Sequence, residues 1–326
     1  MLFPRILIIC CLFISACSGP GDIHETRFIM GTLVEFSIAG AEKDAAQSAI
    51  TAAAEEMQRI EQSFTIYGDQ PNSVKAFNRA AIGSVVILPD EVSDLLKLAL
   101  SIKQQSQGAF EPALGKLNLL WGFSGGDMPA SPPSQAAIAL AIPPSSCIEA
   151  SANGWIRQDE RCVLDFGAIA KGYAIDRGIE ILKEHGINNA IINAGGDIRL
   201  IGRHGERPWR IGIRHPRNKG EVIKTLELEG DVAVVTSGDY ERFFMYQGKR
   251  YHHIIDPATG WPADGSQSAT VIAASAALAD AWSTALFVQG ENNNILKNDI
   301  NMRFLLVDNK GVIHGSLDPI GDTPIR

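Results

Sequence analysis

Residues 32–38 alternate apolar and polar side chains, the two-residue period of a half-buried strand. Over residues 41–64 the period lengthens. Ala45, Ala49, Ile50, Ala53, Met57, Ile60 and Phe64 recur on one face and predict a long amphipathic helix. A second helix is predicted over 90–107, where Val92, Leu95, Leu96, Ala99 and Ile102 share a face and Gly108 ends it. Residues 128–146 are proline-rich, but Ser131-Pro132-Pro133 suits a helix start, so a short helix over 134–141 replaces a domain boundary. Next, Leu164-Asp165-Phe166-Gly167-Ala168 reads as a short strand entering a turn, with a helix from about Ile169 to His185 stopped by Gly186. Runs at 190–193, 198–202, 209–213, 224–228 and 231–235 follow as consecutive strands, spaced like an antiparallel meander. A strand over 270–274, a buried helix over 276–287 and a hairpin of 303–308 with 311–314 close the chain. Strands and helices segregate, so the class is α+β, antiparallel sheets with packed helices.

The first residues stand apart from this pattern. One positive charge, Arg5, precedes an apolar run from Ile6 to Ile14 that is too short to span a bilayer but suits a signal-peptide core. Ile14-Ser15-Ala16-Cys17 follows as a lipoprotein-type cleavage site, or as a plain secretory one cut near Ala16. The expected organisation is a signal over 1–16, a lipidated Cys17, a tether over 17–24 and one folded domain over 25–326. That predicts an exported protein, anchored to the inner membrane by its lipid and facing the periplasm. The formal charge is −8, and −9 once Arg5 leaves, which argues against a nucleic-acid partner. Cys10 and Cys11 leave with the signal; Cys147 and Cys162 remain, as a disulfide closing a surface hairpin or as two buried thiols.

Chemistry-bearing residues gather in the second half. A helix N-terminus at Ile169 with Lys171 in its first turn is a natural partner for phosphate oxygens. Asn193-Ala194-Gly195-Gly196-Asp197 is a backbone anion nest or a plain hairpin turn. Thr236-Ser237-Gly238-Asp239-Tyr240-Glu241-Arg242 is a ligand rim or a solvated turn. His253 with Asp256 nearby reads as a base oriented by a carboxylate, or as a structural histidine. Asp280 and Thr284, four apart in an otherwise apolar helix, share a face and offer hard oxygens suited to Mg2+; Asp280 as a helix cap is the alternative.

These segments, in this order, resemble the ApbE family of FAD:protein FMN transferases. The resemblance runs from Arg27-Phe28-Ile29-Met30-Gly31-Thr32 to Thr284-Ala285-Leu286-Phe287, through Gly108-Ala109-Phe110-Glu111-Pro112 and Asn118-Leu119-Leu120-Trp121-Gly122-Phe123. It implies a T-fold-related architecture and a Mg2+-dependent enzyme that binds FAD. Such an enzyme moves FMN to a threonine or serine hydroxyl of a flavoprotein subunit of a membrane redox complex, releasing AMP. An FAD pyrophosphatase and a non-catalytic FAD-binding lipoprotein are the alternatives. By resemblance Ala168, Asp280, Ser283 and Thr284 fall at metal-binding positions. Met30, Tyr67, Ala109, Phe110, Glu111, Asp165, Lys171 and Ile254 fall where the family touches FAD, and His253 where it places a base. Glu111 departs from the usual family aspartate, and Phe166 stands where many relatives have leucine or glycine.

Overall fold

The computed structural model describes residues 21–124, 129–292 and 301–317; the expected signal, Cys17 and the start of the tether lie outside them. The chain begins with β1 (Gly21–Ile29), β2 (Thr32–Ala41) and α1 (Lys43–Phe64). There follow α2 (Ser73–Arg79), β3 (Val85–Val86), α3 (Asp90–Gln105), α4 (Gly115–Trp121) and α5 (Gln135–Ala139). After β4 (Ile148–Ser151), β5 (Gly154–Arg157) and α6 (Ala170–Glu184) come β6 (Ala190–Ala194), β7 (Asp197–Gly202), β8 (Trp209–Arg214), β9 (Val222–Leu228) and β10 (Gly230–Gly238). The remainder is β11 (Phe243–Tyr246), β12 (Lys249–His252), β13 (Ser266–Ala273), α7 (Ala276–Gln289), β14 (Arg303–Asp308) and β15 (Ile313–Gly315).

An eight-stranded antiparallel sheet in the order β1-β2-β6-β7-β10-β13-β14-β15 organises the molecule. Its alternation sorts side chains onto two buried faces. Along β10, Ala233 and Val235 join the core under α1, α6 and α7, while Val232 and Val234 face Trp209, Ile211 and Leu226 of the β8–β9 hairpin. The five-strand meander is therefore corrected. β8 and β9 pair only with each other and lie over the sheet, because Trp209, Ile211 and Ile213 bury against it instead of extending it.

Two smaller corrections concern the N-terminal half. Residues 21–24, assigned to the tether, form the start of β1, whose charged, exposed side chains hide an edge strand from any hydrophobic pattern. In α1 the buried stripe begins at Ala46, and Ala45 faces solvent. The α3 stripe is buried as expected, and the helix ends two residues early where Gln107 and Gly108 take positive φ of 56° and 86°.

A satellite cluster of Leu117, Trp121, Phe123, Ile138, Phe244 and Ile255 fastens α4 to the turn after β12, with Trp121 Nε1 donating to Gly260 O at 2.9 Å. This cluster carries Asn118 and Ser124 toward the site. The two remaining cysteines are a disulfide between the start of β4 and the segment leading to Asp165. Their sequence separation of 15 residues gives a loop-closure contribution of about 3 kcal/mol. Cys147→Ser/Cys162→Ser is expected to lose about that much in urea denaturation; a loss under 1 kcal/mol would assign the crosslink no stabilising role.

Candidate functional site

The site lies where the N-terminal turns of α6 and α7 cross. They approach so closely that a Cβ added to Gly172 would stand 2.2 Å from the carbonyl oxygen of Ala276, so only glycine fits. Asp176, one turn further along α6, accepts from Ala276 N (2.7 Å) and Ala277 N (2.9 Å) and so caps α7 from outside, while Arg199 Nη1 binds the same carboxylate at 2.7 Å. Ser275 Oγ caps α7 from within, accepting from Leu278 N at 3.2 Å. Asp280 therefore does not cap its own helix; it caps the first turn of α6 instead. Its Oδ2 accepts from Gly172 N at 2.9 Å, and among the described residues its Oδ1 takes no hydrogen bond. The Gly172 N–H thus bypasses the Ala168 carbonyl, which meets no backbone donor among the described residues.

Burial pushes the Asp280 carboxyl up to about 7; Lys171 opposes the rise, while Asp197 and Asp176 add to it. Lys171 forms an ion pair with Asp197 at the start of β7, and Asp197 Oδ1 accepts from Thr236 N at 3.1 Å. Burial works against the lysine's charge, but the Asp197 and Asp280 carboxylates outweigh it and hold Lys171 protonated. On the site-facing side of β10, Ser237 Oγ lies 2.8 Å from Ser283 Oγ and 3.2 Å from Thr284 Oγ1. Ser283 Oγ also donates to Asp280 O at 2.9 Å, so that hydroxyl is committed to its own helix.

His253 enters from the loop after β12, its N–H donating to Arg242 O at 3.1 Å. Among the described residues its buried Nδ1 has no hydrogen-bond partner. Burial, then the positive charge of Arg242, with smaller contributions from the His252 ring and Lys171, lowers the ring to about 3 and keeps it neutral. Ile254, beside it, is buried against the main core. The opposite wall is the β1–β2 tip, where Met30 and Gly31 both take positive φ, 55° and 69°. Near it stands Tyr67, whose hydroxyl burial and Asp165 push up to about 12, against the pull of Ser124 and Arg242. Asp165 accepts from Asn118 Nδ2 (2.7 Å) and Gly167 N (2.9 Å), and burial raises its carboxyl.

The structure thus draws Met30, Tyr67, Asp165, Lys171, His253, Asp280, Ser283 and Thr284 into one linked network. Three expectations fare differently. Asp256 does not orient His253: its carboxylate accepts from Ala258 N (2.9 Å) and Thr259 Oγ1 (3.1 Å), closing its own Asp-Pro-Ala-Thr-Gly turn. Phe110 is 2% exposed and belongs to the core. Glu111 is tied to Lys103 Nζ at 2.6 Å and to Ala113 N at 3.0 Å, with Ala109 beside it in the same turn. Asp176, Asp197, Ser237, Ser124 and Arg242 carry much of the network, and sequence reading assigned them no individual role. Of these, Asp197 fell within a stretch read as an anion nest or a hairpin turn, and Ser237 and Arg242 within one read as a ligand rim or a solvated turn.

The Asp280 carboxylate, the Ala168 carbonyl and the Thr284 hydroxyl offer only hard oxygen atoms, a donor chemistry that fits Mg2+. Among the described residues, the cluster of His, Asp and Glu ligand atoms is elsewhere, at Glu291, Asp308 and His314. There His314 Nε2 sits 3.0 Å from Asp308 Oδ2 and 3.9 Å from Glu291 Oε1, the arrangement of an ion-pair triad.

This arrangement has known counterparts. The ApbE family model matches residues 30–304. The chain superimposes on the ApbE protein of Thermotoga maritima with a TM-score of 0.83 and 35% identity, covering 91% of this chain and 97% of that one. The flavin transferase ApbE from Vibrio cholerae gives 0.76 and 26%, covering 91% and 97%. Among curated relatives, the FAD:protein FMN transferase of Treponema pallidum is 32% identical over 88% of this chain and 85% of its own. That of Rhodobacter capsulatus is 34% identical over 83% of this chain, which spans about half (52%) of that longer relative. Fold and relatives together define a transferase enzyme, built on a crossing of two helix N-termini. The chain belongs to the ApbE family.

Proposed function

We propose that the chain is a Mg2+-dependent FAD:protein FMN transferase, which passes the FMN half of FAD to a threonine or serine hydroxyl of a flavoprotein acceptor and releases AMP. The observation that carries this reading is the convergence of Asp280, Thr284, Lys171 and His253 on the α6–α7 crossing. Bound by Asp280, Thr284 and the Ala168 carbonyl, Mg2+ would neutralise charge developing on the transferring phosphoryl group.

The chain's own residues supply the rest. Lys171 receives diphosphate oxygens at its ammonium, while the neighbouring Ala170 and Gly172 N–H groups are held by Phe166 O and Asp280 Oδ2. Tyr67, Met30 and Asp165 line the wall where the flavin lies. His253, neutral and not spent on Asp256, takes the hydroxyl proton at Nε2, since Nδ1 is buried. Negative phosphates beside the ring raise its low proton affinity as substrate binds. The acceptor oxygen forms the new bond to the FMN phosphorus as the bond to the AMP oxygen breaks, and AMP leaves with those electrons.

The export half of this reading supports a lipid anchor at Cys17 and a periplasmic-side acceptor. A disulfide suits an oxidising compartment. The test is incubation of the mature protein with FAD, Mg2+ and an acceptor flavoprotein lacking its flavin. Acceptor fluorescence that survives a denaturing gel is expected; free FMN and AMP without labelled acceptor would instead make it a pyrophosphatase. His253→Ala is expected to slow transfer by about 10²–10⁴, with FAD affinity nearly unchanged in fluorescence titration. An unaltered rate would remove the base from His253.

A further inference from the structure

Arg242, in the turn between β10 and β11, reaches across the mouth of the site. Its Nη1 stands 3.4 Å from Ser124 Oγ, and a Cβ on Gly31 would lie 3.8 Å from its Nη2. One guanidinium thus spans the gap between the His253 loop, the α4 end and the β1–β2 tip. Its neighbours are differently placed. Arg217 holds both oxygens of Asp239 at 2.7 Å, Arg250 adds a contact to Asp239 at 3.2 Å, and Arg214 pairs with Glu241 at 3.1 Å. Among the described residues Arg242 has no carboxylate partner, and a contact of 3.4 Å to a neutral hydroxyl is at the weak end of hydrogen bonding. Lys171, by contrast, already faces Asp197 and Asp280. The unanswered positive charge at the mouth is Arg242, a fork of donors matched to phosphoryl oxygens.

We propose that Arg242 is a phosphate-contacting residue: its guanidinium leaves Ser124 and takes oxygens of the substrate diphosphate on the side opposite Lys171. This rests on the flavin-transferase reading. The backbone carbonyl of the same residue fixes His253, so Arg242 joins the base loop to the phosphoryl group being transferred.

The test compares FAD with riboflavin, which has the same ring and no phosphate, on the full mature chain. In Arg242→Gln the FAD dissociation constant is expected to rise about tenfold or more and transfer to fall about 10²–10³. Riboflavin affinity should stay within about twofold. Arg242→Lys, which keeps charge but loses the fork, should fall between; Arg214→Gln, whose charge is already paired, should change neither ligand. Equal weakening of FAD and riboflavin, or no weakening of FAD, overturns the assignment. If the wild type binds FAD but labels no acceptor, the transferase reading fails while the FAD-to-riboflavin ratio still decides Arg242.

Discussion

Asp280→Asn is expected to leave a folded, FAD-binding protein that transfers FMN about a thousandfold more slowly. The amide keeps an oxygen for the Gly172 N–H, so the crossing of α6 and α7 survives. The anionic oxygen is lost, and with it the carboxylate in the proposed metal-binding set. In-gel flavin fluorescence measures the rate, and added Mg2+ should not restore it. A rate within tenfold of wild type would exclude Asp280 as a metal ligand. A second readout follows from linkage. Burial raises the Asp280 carboxyl from its usual range to about 7, so the folded state holds the proton more tightly than the unfolded chain. In metal-free buffer this group therefore lowers stability as pH rises from about 4 to 7, and the Asn variant should lack that component of the decline.

Asp176→Ala should be the most destabilising single change, costing about 3–5 kcal/mol in urea denaturation. The substitution removes the acceptor for two N–H groups at the start of α7 and strands Arg199, 8% exposed, with only Asp231 as a partner. Activity should fall with stability, because the first turn of α7 sets the position of Asp280. A cost below 1 kcal/mol would mean that α7 is held by its apolar face alone.

The elements with a one-sided or fully buried pattern were legible from the sequence. α3 followed its periodicity and ended within two residues of its glycine stop signal, α7 read as a buried helix from its apolar run, and β10 alternates between two cores. What failed had physical reasons. β1 is a charged edge strand, β3, β4 and β5 are too short to show a period, and the β8–β9 hairpin has the alternation of a sheet strand while packing across the sheet. At the site, Asp280, Thr284, Lys171 and His253 could be picked out because each is an unusual residue for its local pattern. Asp197 and Arg242 sit in ordinary-looking turns, and their importance comes from partners tens of residues away. Asp256 misled for the converse reason, since sequence proximity to His253 said nothing about a carboxylate that folds back on its own turn.

The Cys147–Cys162 crosslink gives the chain a different stability in reducing and in oxidising surroundings. Under cytosolic thiol conditions the bond is absent, and about 3 kcal/mol less stability enlarges the unfolded population by roughly a hundredfold. Copies retained where they are synthesised would be exposed to proteases, while copies that reach an oxidising space are locked. With the proposed export, such turnover would favour flavin transfer in the oxidising compartment.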